Sequence, residues 1–372
     1  MAEERIINEP VKEEEKLFYA SQWQLVWRRF RKHKLAVGGG TILALIYLGG
    51  IFCEFLAPYD PTRYDLKYPY APPQAIHIFR DGQFIRPSVY GYTTTRDPKT
   101  LRITYKIDQT KIYPIRFWVK GDPYKFWGMW EMNTHMIGVT EGALFLLGTD
   151  RMGRDMVSRV FYGARISTSV GLIGVFLSFI IGIIIGGVSG YYSGALDNFV
   201  QRSIELIRSI PTIPLWMALS ASLPPYWTPL RVYFAITIIL SLTEWTGLAR
   251  VVRSKFLSLR EEDFVVAARL SGAREGRIIL RHMLPSFTSH LIASITLAVP
   301  GMILGETALS FLGLGLRPPV ISWGVLLQEA QNLSVIALYA WLLLPAGFVI
   351  ITVLCFNFLG DGLRDAADPY AK

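Results

Sequence analysis

The chain carries none of the short signatures of common catalytic sites. A GxxxxGK(S/T) phosphate loop is absent, so it is not expected to bind and hydrolyse ATP by that route. His33, His77, His135, His282 and His290 have no HExxH-type spacing, there is no cysteine cluster and no GxSxG nucleophile elbow, so no metal, cofactor or catalytic residue is expected on this chain. The two cysteines, Cys53 and Cys355, both fall in apolar stretches, which argues against a disulfide framework. No internal repeat is visible, and the inverted-repeat plan of many secondary transporters therefore has no support. The first apolar run ends in FCEFLAPYD without a small-residue cleavage site, and is expected to stay as an anchor.

What is present is apolar. Of 372 residues 51% are hydrophobic, more than in most soluble domains yet less than in a chain that is all membrane. Runs long enough to span, each needing about 20 residues, occur at 35–57, 166–190, 204–222, 230–251, 287–306 and 335–358. The sequence thus predicts an all-α polytopic membrane protein with six transmembrane helices. The third run is the weakest, with Glu205 and Arg208 at its start and Pro211 and Pro214 inside it. Six glycines crowd the second, from Gly171 to Gly190, and predict a helix packed inside the bundle.

The formal charge of +9 invites a nucleic-acid reading, but the basic residues flank apolar runs instead of forming a domain. Membrane lipid, not nucleic acid, is the expected neighbour. Arg28, Arg29, Arg31, Lys32 and Lys34 precede the first span, whereas the short connection 223–229 has no Lys or Arg. The positive-inside rule places residues 1–34 in the cytosol, and six spans return the tail 359–372 to the same side. Residues 58–147 then form an extracytoplasmic insertion. Alternating runs such as LRITYKI and turn pairs Asp81-Gly82 and Asp97-Pro98 predict a small, mostly β module. Two roles are open to it: a cap on the helix ends, or a platform for substrate capture.

Residues 258–285 are a charged amphipathic island between two apolar runs. Ser258 and Glu261 have capping-box spacing, and Glu261, Glu262 and Asp263 would lie in a first helical turn, where the macrodipole favours them. Phe264, Ala267, Ala268 and Ser271 share one face, three of them small, so another backbone can come close. Gly272 is placed for the left-handed residue that ends such a helix, and a second short helix would run to Leu284 before Pro285.

This island resembles the cytoplasmic loop of the inner-membrane permease subunits of ABC importers, which reads E-A-A, three residues, G, nine residues, I, one residue, L-P. Ala267, Ala268, Gly272, Leu284 and Pro285 fit, while Val266 and His282 replace the family glutamate and isoleucine. LGTDRMGRDMVSRVFYGARIS (147–167), SLTEWTGLARVVRSKFLSLRE, ETALSFLGLGL and FNFLGDGLRDAADP resemble stretches of the oligopeptide and dipeptide branch. The resemblance covers the first span and nearly everything from residue 147 onward, so a permease core of 148–358 follows the insertion. It implies the type I ABC importer fold and a place in the bacterial inner membrane. It also implies a second, homologous but non-identical permease, two cytosolic ATPase subunits carrying ATP and Mg, and an extracytoplasmic solute-binding protein. The ATPases would dock on Glu262, Asp263, Phe264, Val266, Ala267, Ala268, Arg269, Gly272, Leu284 and Pro285.

Three features remain outside that motif. Glu244, about 9 Å in from Arg250 along its helix, is a candidate for the translocation path or an interhelical contact, a structural hydrogen bond being the simpler role. Glu306 falls near the outer end of the fifth span and is expected to be solvated. Asp150 is placed to cap a short helix of Met156, Val157, Val160 and Phe161 along the outer membrane surface. The competing readings are an ion-coupled secondary transporter or channel, disfavoured by the missing repeat, and a membrane enzyme, disfavoured by the missing catalytic constellation.

Overall fold

Inside a bilayer no water satisfies amide groups, so long apolar runs must fold as helices. The computed structural model describes residues 22–80, 83–99 and 102–367, and among these residues five helices are long and apolar enough to cross a membrane. The helices that matter here are α1 (Gln22–Lys32), α2 (Lys34–Ile51), α3 (Cys53–Leu56), α4 (Met156–Tyr192), α5 (Gly194–Ser209), α6 (Thr212–Ala221), α7 (Pro229–Leu259), α8 (Asp263–Leu270), α9 (Thr288–Phe311), α10 (Trp323–Leu327) and α11 (Leu344–Ala367). The five long ones are α2, α4, α7, α9 and α11, the last led in by a 3-10 turn, Ala340–Leu343. The final run therefore starts later than residue 335, and its helix continues to Ala367, through most of the expected tail 359–372.

The third run is not one helix. It breaks at Ile210, which is extended (φ −88, ψ 128) because the proline after it disfavours helical backbone. The remaining ten-residue α6 is about 15 Å long, half of a hydrocarbon core. At one end of the bundle Asp197 of α5 pairs with Arg253 of α7. At the other, Ser220 and Leu223 share a cavity with Leu314 and Pro319, beyond the end of α9. The two pieces together run the length of the bundle.

Nor does a separate surface helix precede the second span. Helix α4 runs unbroken for 37 residues, about 55 Å, and so stands well clear of a core about 30 Å thick. Its cap is Asp155, whose carboxylate accepts the backbone N–H of Ser158 at 2.7 Å. Asp150, expected in that role, is buried one turn earlier. There it accepts the amides of Met152 (2.8 Å) and Arg154 (3.0 Å) and the guanidiniums of Arg154 and Arg159. Charged partners offset much of the cost of burying that carboxylate.

The glycines of α4 line its contacts with α7 and α9. A Cβ on Gly171 would meet Ile303, and one on Gly186 would lie 2.4 Å from the Ala249 carbonyl oxygen. Backbones touch there, as small residues allow in membranes. Leu240, Met302, Ile303 and Trp323 fill the centre of the bundle, with no side-chain exposure. Helix α11 packs on α2 and α9, and α1 closes against its far end through Phe30 and Ala366.

The insertion contains two antiparallel units. Strands β1 (His77–Arg80), β2 (Gln83–Arg96) and β3 (Ile103–Pro114) form one sheet, and β4 (Arg116–Phe126) and β5 (Trp130–Gly138) form a hairpin. A closed base holds both: Thr149 and Ala71 bond reciprocally, and the Gln74 amide donates to the Phe145 carbonyl at 2.9 Å. The Asp81-Gly82 pair, residues 1–21 and residues 368–372 lie outside the described residues.

Candidate coupling surface and membrane cavity

The island 258–285 forms two short helical segments with a turn between them. The capping box does not form, because α7 continues through Ser258 to Leu259 and leaves no free amide there to cap. Glu262, extended at ψ 146, is the residue that opens α8, and Asp263 occupies its first turn. Helix α8 ends as its glycine predicts. Gly272 has φ +73, its N–H reaches the Arg269 carbonyl at 3.0 Å, and the Ala273 N–H reaches the Ala268 carbonyl at 3.1 Å. These are the paired bonds of a Schellman ending, which satisfy carbonyls that would otherwise be left open. The chain then turns through Glu275–Arg277, a π-helical stretch Ile278–Met283 and a final turn Leu284–Ser286 containing Pro285.

The two segments are strutted to the bundle from inside. Val265, Ile278 and Met283, fully buried, pack with Val252 and Phe256 of α7 and with Phe287 and Leu291 at the start of α9. Burying such a side chain contributes about 1.5–3 kcal/mol, so Val265 of α8 together with Ile278 and Met283 of the following segment hold the island firmly to two spans. Polar ties add to this. Arg260 donates to Ser193, the Tyr192 hydroxyl donates to Glu275, and the Arg269 guanidinium lies 6.0 Å from the Tyr191 ring. Helix α8 is thereby linked to α4, α7 and α9 at once.

The outward face differs in part from the expected one. Ala268 half-buries against Val265's cluster, so it packs the helix down instead of receiving a partner. Val265, at 0% exposure, draws Ala268, three positions on, to the inner side. Phe264 (42% exposed), Val266 and Leu270 (84% exposed) point away, with Ala267 and Ser271 between them. Glu262, Asp263, Arg269 and Pro285 are exposed and Leu284 half-buried, so of the predicted residues Ala268 and Leu284 face inward. Phe264, Val266 and Leu270 thus leave apolar side chains on the side of α8 turned away from the bundle.

Glu244 lies on α7 and lines a cavity of about 330 Å³ with Ser178, Ser294 and Met302, contributed by α4 and α9. The Arg208 guanidinium approaches Gly247, one turn along α7. Glu306 is not solvated. It is fully buried, and it accepts hydroxyl bonds from Ser167 (3.0 Å), Ser310 (2.8 Å) and Ser322 (2.7 Å), tying α4, α9 and the start of α10 together. The expectation failed because the chain after Phe311 folds back over this end of the bundle. Ser310, one turn after Glu306, was the available sequence signal. Two further ion pairs, Arg165 with Glu54 and Arg253 with Asp197, had none, and neither did the link from Glu329 to the group of Asp150, Arg154 and Arg159. Among the described residues no cluster of His, Cys, Asp or Glu is arranged to hold a metal ion.

The family described as binding-protein-dependent transport system inner membrane component matches residues 178–372, more than half of the chain and all of the island. The chain belongs to that family. The N-terminal membrane domain of oligopeptide transport permease C matches residues 21–73 of this permease. It is 31% identical over 350 residues to the dipeptide transport system permease protein DppC of Bacillus subtilis, covering 94% of this chain and 86% of that one. To the oligopeptide transport system permease protein OppC of Haemophilus influenzae it is 42% identical over 240 residues, 64% of this chain and 75% of that one. Among solved structures, an inward-facing MetNI methionine ABC transporter chain aligns with 57% of this permease and 97% of itself, at 19% identity and a TM-score of 0.45. The protein is a multi-pass inner-membrane permease subunit of an ABC importer, and it works with ATPase and substrate-binding partners.

Proposed function

We propose that this permease forms one half of a peptide translocation path. It pairs with a second, non-identical permease and receives peptides from an extracytoplasmic binding protein. Two cytosolic ATPase subunits, which carry the ATP and Mg, dock on α8. The observation that carries this reading is the strut. Val265 of α8, with Ile278 and Met283 of the segment after it, joins the island to two spans, while Phe264, Val266 and Leu270 face outward. A partner that moves α8 must move α7 and α9 with it. Closure of the ATPases would thus shift the bundle between inward-facing and outward-facing states.

Six crossings, the third made by α5 and α6 jointly, put both termini and the island on the cytosolic side and the β insertion outside. The cations at 28–34 support this orientation. The cavity at Glu244 lies between three spans, which suits a place on the path. Peptide as cargo rests on the likeness to the dipeptide and oligopeptide permeases. The test is uptake of labelled di- to pentapeptides into vesicles holding both permeases and both ATPases, with the binding protein added outside. ATP-dependent accumulation supports the reading. Hydrolysis stimulated by a loaded binding protein that carries a non-peptide solute would refute the cargo and keep the permease.

A further inference from the structure

The β4–β5 hairpin exposes side chains that a water-facing loop would not. Phe117 and Trp118 are 66% and 70% exposed, and Trp127, Met129 and Trp130 at the tip are 47%, 63% and 56% exposed. Their height is fixed. The Trp127 indole N–H donates to the carbonyl of Ile51, the last residue of α2, at 2.8 Å. Phe52 stacks on Phe126 at 6.0 Å, Phe55 meets Trp118 at 5.1 Å, and His135 Nδ1 lies 2.6 Å from the Ala57 carbonyl oxygen. The hairpin is therefore clamped to the end of a span of 18 residues, about 27 Å, close to the thickness of a hydrocarbon core.

A second marker gives the same level. The Arg165 guanidinium pairs with Glu54 and donates to the Gly50 and Ile51 carbonyls, an ion pair that belongs where hydrocarbon ends. The aromatic tip also continues an apolar stripe: Leu45 and Leu48 lie on the exposed side of α2 at helical spacing, and Phe52 follows just past its end. Arg116, Lys120 and Lys125 are exposed on the same hairpin. Tryptophans with an apolar body and a polar N–H, set beside cations, match the boundary between acyl chains and phosphate headgroups.

We infer that the hairpin is a membrane foot, with Trp127, Met129 and Trp130 seated in the headgroup boundary of the leaflet where α2 ends. It would hold the β module at a set height over the bundle. The inference rests on α2 crossing the membrane and not on the identity of the cargo.

The test uses the full permease complex in lipid nanodiscs, with Met129→Cys in a Cys53→Ala, Cys355→Ala background and a bimane label. Quenching is compared for nitroxide lipids labelled at the headgroup, for lipids labelled deep in the acyl chain, and for aqueous iodide. Phe84→Cys, 73% exposed on β2, is the reference for an exposed site on the same module. Headgroup-level quenching several-fold above both others is expected. Iodide quenching equal to that at Phe84→Cys would show a tip in water, and protection from lipid and iodide alike would show a tip covered by protein. Stronger deep than shallow quenching would place it in hydrocarbon; each of these three results overturns the inference.

Discussion

Adding one methyl group to Gly186 is the most direct probe of how α4 and α7 are built. A Cβ there would sit 2.4 Å from the Ala249 carbonyl oxygen, 2.8 Å from its Cα and 3.0 Å from its carbonyl carbon. All three are backbone atoms and cannot rotate away. Restoring ordinary contact near 3.5 Å requires the two helices to part by about 1 Å, which opens the seam around Gly182 and Gly190 as well. Overpacking of this kind costs about 1–3 kcal/mol, a large share of a typical stability. Gly301→Ala on α9 is the matched comparison, because a Cβ at Gly301 meets nothing within 4 Å. It should be neutral or stabilise by up to about 1 kcal/mol through helix propensity. Unfolding in mixed micelles, followed by circular dichroism, reads both. Gly186→Ala no less stable than Gly301→Ala would refute close backbone packing of α4 on α7.

The remaining predictions concern caps and modules. Burial pushes the Asp155 carboxyl up to about 6 despite its bonds from Ser158, so the native state favours the protonated form. Its contribution is complete below the unfolded value of 3.8 and is lost as pH rises through about 6, by at most roughly 3 kcal/mol, since the positive end of the α4 dipole opposes the shift. Thermal stability in detergent should thus fall between pH 4 and 7 relative to Asp155→Asn; parallel pH profiles would count against it. Gly272→Val places a β-branched residue at φ +73 and should cost at least about 1–2 kcal/mol locally, uncoupling ATP hydrolysis from uptake, whereas Gly272→Asn should retain coupling. Equal uptake by the two variants would show that the Schellman ending is dispensable. Replacing residues 76–141 by a short glycine-serine linker should leave the base at Ala71, Gln74, Phe145 and Thr149 intact, so membrane assembly should persist while uptake drops; disappearance of the protein from the membrane would contradict that.

Local chemistry was legible where one residue type has one physical use. Gly272 ends α8 in the left-handed region, and the glycines of α4 mark its packed face, as their spacing implies. Where several neighbours compete, sequence spacing misled. Ser258 and Glu261 have the spacing of a capping box, but α7 continues past Ser258, so no helix starts there. Asp150 was the expected cap, but Arg154 and Arg159 just after it claim its carboxylate, and Asp155 takes the helix. Ala268 turned inward because Val265 needed burial more than a small face needed exposure. Glu306 looked solvated only because hydropathy cannot show a loop folding back to bring Ser322 to it. Ion pairs between residues far apart in the chain, such as Glu54 with Arg165, leave no local pattern at all.

The central claim is that an ATPase subunit grips the outward row of α8. Leu270, 84% exposed and at the end of that row, is the place to ask. Leu270→Cys, in the background lacking Cys53 and Cys355, would be tested in membranes for thiol cross-linking to single cysteines introduced along the groove of the partner ATPase, with and without ATP. The account predicts a cross-linked pair whose yield changes on nucleotide binding, and none from Phe84→Cys on the β module. No cross-link at Leu270 with any ATPase position, or labelling of Leu270→Cys by an impermeant reagent from outside intact cells, would contradict it.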